Sequence, residues 1–241
     1  MDNESTTSVQ STPTHKPRPM IDLLVSILIP SVILMKFSNP EHLGPSGALV
    51  IALAFPLGWG TFELFKYRKF NFIALLGLIS VLLTGGIGLL ELGPKWLAVK
   101  EAAIPGLIGL VILISAYTPY PLIRTLLFNP RVMNIEKIET KLHELGTQHL
   151  FDTRLNNATY LLSSTFLFSA VMNYLLVTWI VISPAGTPAF NEELGQMTLL
   201  SYPVIAIPST VMMMAILYYL WRTIRTLTGY TLEEIITMPG D

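Results

Sequence analysis

Six runs of apolar residues, separated by polar breaks, dominate the chain: 21–37, 44–65, 70–90, 97–115, 158–183 and 199–221. None shows the apolar–polar alternation of a strand. A helix rises about 1.5 Å per residue, so a hydrocarbon core of ~30 Å takes about 20 residues. The pattern predicts an all-α membrane protein with six transmembrane helices arranged as three hairpins. The first run is short. The fifth is long enough to tilt or to begin in the membrane interface.

The breaks predict the rest of the organisation. Residues 66–69 and 91–96 are tight turns. Residues 1–20, rich in Ser, Thr and Pro, bury too little apolar surface to offset chain entropy and are expected to form a disordered cytoplasmic tail. The apolar run behind them ends in Met35-Lys36-Phe37-Ser38-Asn39-Pro40, with no small-residue cleavage site, so it reads as a retained span of a 21–235 membrane domain. The helical insertion 131–157 carries Val132, Ile135, Ile138, Leu142 and Leu145 at spacings of three and four. Charged residues fill its other faces, so an amphipathic helix is expected along the cytoplasmic membrane surface or span ends, with a partner-binding helix as the alternative. Asn134 is its expected N-cap and Gly146 its stop.

Charge sets the orientation. With a cytoplasmic N-terminus, twelve basic residues fall inside: Lys16, Arg18, Lys66, Arg68, Lys69, Arg124, Arg131, Lys137, Lys141, Arg154, Arg222 and Arg225. Three fall outside: Lys36, Lys95 and Lys100. This bias predicts both termini on the cytoplasmic side of a multi-pass protein. Composition agrees: 51% of residues are hydrophobic, and only 13% are charged against about 25% in a soluble domain. The net charge of −1 offers no basic field for nucleic acid.

Candidate chemistry is sparse. Cys is absent, and there is no G-x-S-x-G, Walker A or H-E-x-x-H sequence. Gly86-Ile87-Gly88-Leu89-Leu90-Glu91 begins like a dinucleotide fingerprint but lacks its third glycine. The four histidines are not at metal-ligand spacing. No cofactor or metal is therefore expected. Ionisable and polar residues in lipid are costly, which singles out Glu91, Lys100, Glu101 and Asn173 as a polar membrane cluster near spans 3–5. In that reading Lys100 is the candidate partner of Glu91, and Glu101, about 100° around the helix, faces elsewhere. Pro105, Pro203 and Pro208 are candidate kinks or hinges. Gly85, Gly86 and Gly88 suit close helix packing, and Gly85 and Gly86 alternatively a helix opened beside a ligand. A faint echo links 78–115 with 166–220, each an outward helix with small or polar residues followed by a proline-bearing return helix.

Several short stretches resemble a known family. They are Asp22-Leu23-Leu24, Met35-Lys36-Phe37, Arg68-Lys69-Phe70-Asn71-Phe72, Leu83-Thr84-Gly85-Gly86, Lys95-Trp96-Leu97-Ala98-Val99-Lys100 and Pro121-Leu122-Ile123-Arg124. Together they resemble intracellular septation protein A, a bacterial inner-membrane family. Ser183-Pro184-Ala185-Gly186-Thr187 and Leu200-Ser201-Tyr202-Pro203-Val204-Ile205 are similar to its uncharacterised six-span relatives. The resemblance implies a bacterial inner-membrane protein tied to envelope or division machinery, and supplies no catalytic residues. The expected function is a non-enzymatic membrane scaffold. The alternative is a small-solute, ion or lipid transporter using the polar path. Expected partners are membrane lipids and envelope or division membrane proteins, with no nucleic acid.

Overall fold

The structure, a computed structural model, describes residues 24–67, 72–118, 121–127 and 133–235. The predicted tail and the start of the first apolar run lie outside them. In chain order the helices are α1 (Ile29–Phe37), α2 (Gly44–Tyr67), α3 (Phe72–Leu89), α4 (Pro94–Ser115), α5 (Leu122–Leu127), α6 (Ile135–Glu144), α7 (Gln148–Ile180), α8 (Pro188–Ser201), α9 (Ile207–Thr228) and α10 (Leu232–Ile235). Among the described residues there is no strand, so the fold they form is all-helical. Three helical stretches among them are long and apolar enough to cross a membrane: Pro94–Ser115, Gln148–Ile180 and the continuous Pro188–Thr228. Shorter apolar stretches, Gly44–Trp59 and Ile79–Leu89, lie in α2 and α3.

The chain divides into two compact units, Met1–Glu91 with Ala185–Gly195, and Leu92–Pro184 with Gln196–Asp241. In the first unit α1 packs on α2, and α2 on α3. Thr187 starts α8: its hydroxyl accepts from the Phe190 N–H at 3.2 Å, and Pro188 follows at the first turn, where a missing N–H costs nothing. Four residues on, fully buried Asn191 donates to Ser38 Oγ at 3.0 Å and to the Pro45 carbonyl at 2.7 Å. One amide thereby satisfies the turn between α1 and α2. Gly195 brings α8 onto α1, because a Cβ there would stand 2.9 Å from the Ser31 carbonyl oxygen and 2.8 Å from Met35 Cγ.

In the second unit α4 and α7 form the most extensive pair, with α9 packed on the same α7. Gly106 meets Ala170, and Gly109 meets Phe166 and Leu167, so the two backbones approach closely. Ser163 of α7 donates to the Gly109 carbonyl at 2.8 Å across that contact. Ser169 and Ser209 share a hydrogen bond of 3.0 Å between α7 and α9. The apolar core runs from Ile112, Leu162 and Ile216 into Ile138, Leu142, Phe151, Leu155, Ile224, Leu227 and Ile235. It therefore continues from the apolar windows into a small helical head made by α6, α10 and the neighbouring ends of α7 and α9.

Asn134 caps α6, accepting from the Lys137 N–H at 3.0 Å, and Ile138 and Leu142 are buried. Gly146 takes φ +65° just past the helix end. This break separates α6 from α7, so the 131–157 insertion is not one helix: its second half is the first part of α7. Leu145, expected on the docked stripe, lies past the last helical turn and is exposed, while Val132 lies outside the described residues. The C-terminal segment folds back onto α6. Gly229 ends α9 in the left-handed region, the Asn134 N–H donates to the Ile235 carbonyl at 2.8 Å, and Lys137 Nζ lies 4.7 Å from the centre of the Tyr230 ring. Thr231 and Glu234 close this hook, with the Thr231 N–H and hydroxyl both donating to Glu234 Oε2, half of a capping box.

Two boundaries differ from the sequence expectation for one reason. The run at 158–183 is helical from Gln148 to Ile180, and the loop expected at 184–198 is helical from Pro188 onward. The hydropathy pattern marks the apolar part of a helix, whereas these helices continue beyond it as polar segments. At about 1.5 Å per residue, α7 is about 50 Å long, well beyond a ~30 Å core.

Widened π-helical turns occupy Leu24–Leu28 and Tyr202–Ala206. Each runs into the same local sequence, Ile27-Leu28-Ile29-Pro30-Ser31 and Ile205-Ala206-Ile207-Pro208-Ser209. A proline removes one N–H from the ladder, and the wider turn re-pairs its neighbours, as in the Ile207 N–H to Tyr202 carbonyl bond. Pro203 and Pro208 thus sit at a π-turn inside a continuous helix, not at a break.

Gly195→Ala should lower the stability of the full chain by about 1–3 kcal/mol, because backbone as well as a side chain must give way. Gly86→Ala should be neutral or mildly stabilising, since nothing lies within 4 Å of a Cβ there. Thermal unfolding of the two variants in detergent checks the order.

The hydrogen bonds from Thr231 hold the Glu234 carboxyl below its usual value, the backbone N–H being the larger cause and the hydroxyl the second. That contribution is present above the ordinary glutamate pKa of about 4.3 and is lost as pH falls through the lower folded value. The Thr231 amide resonance should stay constant around neutral pH and shift as the hook opens in acid. An unchanged hook after Glu234→Gln at neutral pH would contradict this.

Candidate functional site

The polar positions singled out from sequence fall into both units. In the first, Glu91 follows α3 and has φ +53°, a left-handed conformation uncommon for a residue with a side chain. Its side chain lies against Gly186, itself at φ +83°, where a Cβ would come within 2.8–3.0 Å of Glu91 Oε1, Cγ and Cδ. Gly186 is therefore required twice, by backbone sign and by the carboxylate beside it. Gly85 and Gly88 face Leu53 and Leu49 of α2, and Gly86 faces open space.

In the second unit Lys100 Nζ donates to Glu101 Oε1 at 2.6 Å, and the lysine side chain is only 9% exposed. This corrects the expectation that Glu101 points away from Lys100. Neighbouring helical positions do diverge at Cβ, but the four-carbon lysine stem bends back across the helix surface to reach the carboxylate. Asn173 donates to the Ser169 carbonyl of its own helix at 2.8 Å. The contacts of Gly106 with Ala170 and of Ser163 with Gly109 fix the register of α4 on α7. Carried three residues further, that register sets Asn173 level with Ala103, close in depth to Lys100 and Glu101. Pro105 lies inside α4 between this polar level and the glycine contact.

The same register aligns the aromatic residues. Tyr117 and Tyr160 touch, with ring centres 6.1 Å apart. Trp96 and Trp179 are level at the opposite ends of α4 and α7. Trp96, Trp179 and Tyr117 are 62%, 69% and 78% exposed, far beyond what a packed aromatic shows. Trp96 to Tyr117 spans about 32 Å along α4, and Tyr160 to Trp179 about 29 Å along α7. Two exposed aromatic levels thus lie one hydrocarbon thickness apart. Lys100 and Glu101 sit about 6–8 Å inside the Trp96 level.

Sequence reasoning missed Asn191 and Gly109. Both read as ordinary loop or span residues, because their partners, the Pro45 carbonyl for Asn191 and the Ser163 hydroxyl for the Gly109 carbonyl, lie more than 50 positions away. Pro105-Gly106-Leu107-Ile108-Gly109 carried a usable signal, two glycines three apart on one helical face. Among the described residues, no group of His, Asp or Glu is arranged to hold a metal ion.

Glu101→Gln keeps an acceptor for Lys100 but removes the charge, whereas Glu101→Leu removes both. The expected order of thermal stability is wild type, then Gln, then Leu. The Leu change should cost about 1–3 kcal/mol, as for one partner lost from a half-buried charged hydrogen bond. Equal melting temperatures for all three would show that the pair contributes nothing.

No family model, no curated protein and no solved structure matches the chain.

Proposed function

We propose that the chain is a bacterial inner-membrane protein that crosses the bilayer six times with both termini in the cytoplasm, and that it works as a non-enzymatic scaffold of the envelope or division machinery. The observation that carries the membrane part is the pair of aromatic levels on α4 and α7, about 30 Å apart and exposed. The continuous α8–α9 stretch supplies a third apolar helix of sufficient length. The 24 residues of α2, the 18 of α3, and α1 extended by its π-turn support the other three spans. The basic bias supports the orientation, and the resemblance to septation protein A supports the compartment and the envelope role.

The use made of polar groups favours a scaffold. Ser163, Ser169 and Ser209 join one helix to another, and Asn173 bonds its own backbone. Polar groups spent in this way stabilise a fixed bundle. The head of α6, α7, α9 and α10 gives the bundle a surface in water. A transporter is the second reading, favoured by the Lys100–Glu101 pair lying inside the aromatic level next to Pro105.

A reporter that fluoresces only in the cytoplasm should light up when fused after residue 69 and after residue 241, and stay dark after residue 190. A dark C-terminal fusion on an inserted chain would overturn the topology. Purified protein in proteoliposomes should leave proton and ion permeability at the level of empty vesicles. A flux abolished by Glu101→Gln would replace the scaffold with transport.

A further inference from the structure

α9 carries two stripes. Leu220, Thr223, Ile224 and Leu227, at spacings of three, one and three, are buried. The other stripe follows Ile207, Val211, Met214 and Tyr218, all strongly exposed, and continues through Trp221 and Arg222 to Arg225. Along one helical face the chemistry changes from apolar to aromatic to cationic. The bonds of Ser169 to Ser209 and of Thr147 to the Leu227 carbonyl fix α9 antiparallel on α7. Interpolated between them, Tyr160 lies level with Ile216–Tyr218, so Tyr218 joins Tyr117 and Tyr160 at the same aromatic level. Trp221, Arg222 and Arg225 come just beyond it.

The side chains there are assembled into a set of donors. Tyr218 and Trp221 have ring centres 5.5 Å apart, and the Arg225 guanidinium lies 5.6 Å from the Trp221 ring centre. Arg222 and Arg225 are exposed, and neither forms an ion pair among the described residues. The Trp221 indole N–H is closed off from the surface, so only its ring takes part, as the face beside which Arg225 lies. Two exposed guanidinium groups with no ion-pair partner among the described residues call for an anionic, oxygen-rich acceptor.

We propose that Arg222 and Arg225 bind the phosphate of an anionic phospholipid, whose acyl chains lie along Met214, Val211 and Ile207. Any phosphate would satisfy the donors. The exposed apolar stripe continuous with them selects one that carries an apolar tail, and two cations without a carboxylate partner among the described residues select a net-negative headgroup over a zwitterionic one. The site rests on the membrane reading above and adds a ligand to it.

The test uses the full chain, purified in detergent and reconstituted in nanodiscs, with retained lipid counted by native mass spectrometry. Phosphatidylglycerol should be retained over phosphatidylcholine. Arg225→Gln and Arg222→Gln should each lower that preference about fivefold. Lys141→Gln, a charge removed from exposed α6, should leave it unchanged. Excess inorganic phosphate should displace the lipid only weakly. The proposal is overturned if the two arginine variants retain phosphatidylglycerol like wild type, if Lys141→Gln loses it equally, or if inorganic phosphate displaces it fully. Resistance to carbonate extraction is measured on the same proteins. An extractable wild-type chain refutes the membrane reading itself, whereas a membrane-embedded chain with no lipid preference refutes only the site.

Discussion

The second unit depends on how closely α4 and α7 approach. A helix pair in hydrocarbon gains nothing from excluding water, so its stability comes from contact distance and from hydrogen bonds that have no competing solvent. Gly106 and Gly109 provide the distance, and the Ser163 hydroxyl on the Gly109 carbonyl provides the bond. A bulkier residue at 109 would press on Phe166 and Leu167 and separate the hydroxyl from its acceptor. The register fixed there aligns the aromatic residues at both ends and brings Asn173 to the depth of Lys100. α9 then docks on a helix whose position is already determined.

Hydroxyl groups elsewhere on α7 follow the rule that polar groups must be satisfied within the protein where water is absent. Thr159, Thr165 and Thr178 return their protons to carbonyls of the preceding turn. Such bonds cost little and let a helix of mixed composition lie in an apolar medium. They also explain why α7 is less hydrophobic than the neighbouring α4 and still passes for a spanning helix. Polarity in its sequence does not by itself mean polarity on its outer surface.

How much was legible in the sequence follows from what a linear pattern encodes. Run length gave the helices, and the short side chain of Asn134 followed by an apolar stripe gave the start of α6. The ends of α7 and α8 were not legible, because each helix continues beyond its apolar part while its composition turns polar. Gly146 was legible as a stop, but not as the point where one insertion becomes two helices. The glycines at 85, 86 and 88 could not be told apart by residue type: two of them face leucines of α2 and one faces nothing. The Lys100–Glu101 bond was missed because spacing rules describe Cβ directions and not the reach of a long side chain. The twin Ile-x-Ile-Pro-Ser segments were visible in the sequence, but only the π-turn ahead of each gives them a common physical meaning.

The left-handed turn at Gly146 has a thermodynamic consequence for the head. A helix of ten residues does not hold its shape alone in water, and Ile138 and Leu142 are a small apolar anchor. Three residues tether α6 to α7, so its docking is intramolecular, at an effective concentration of millimolar or more. Such a leash keeps a weak contact almost fully occupied without making it strong. Any molecule that competes for the surface under α6 must first outbid the tether, and once it dissociates the helix returns without having diffused away.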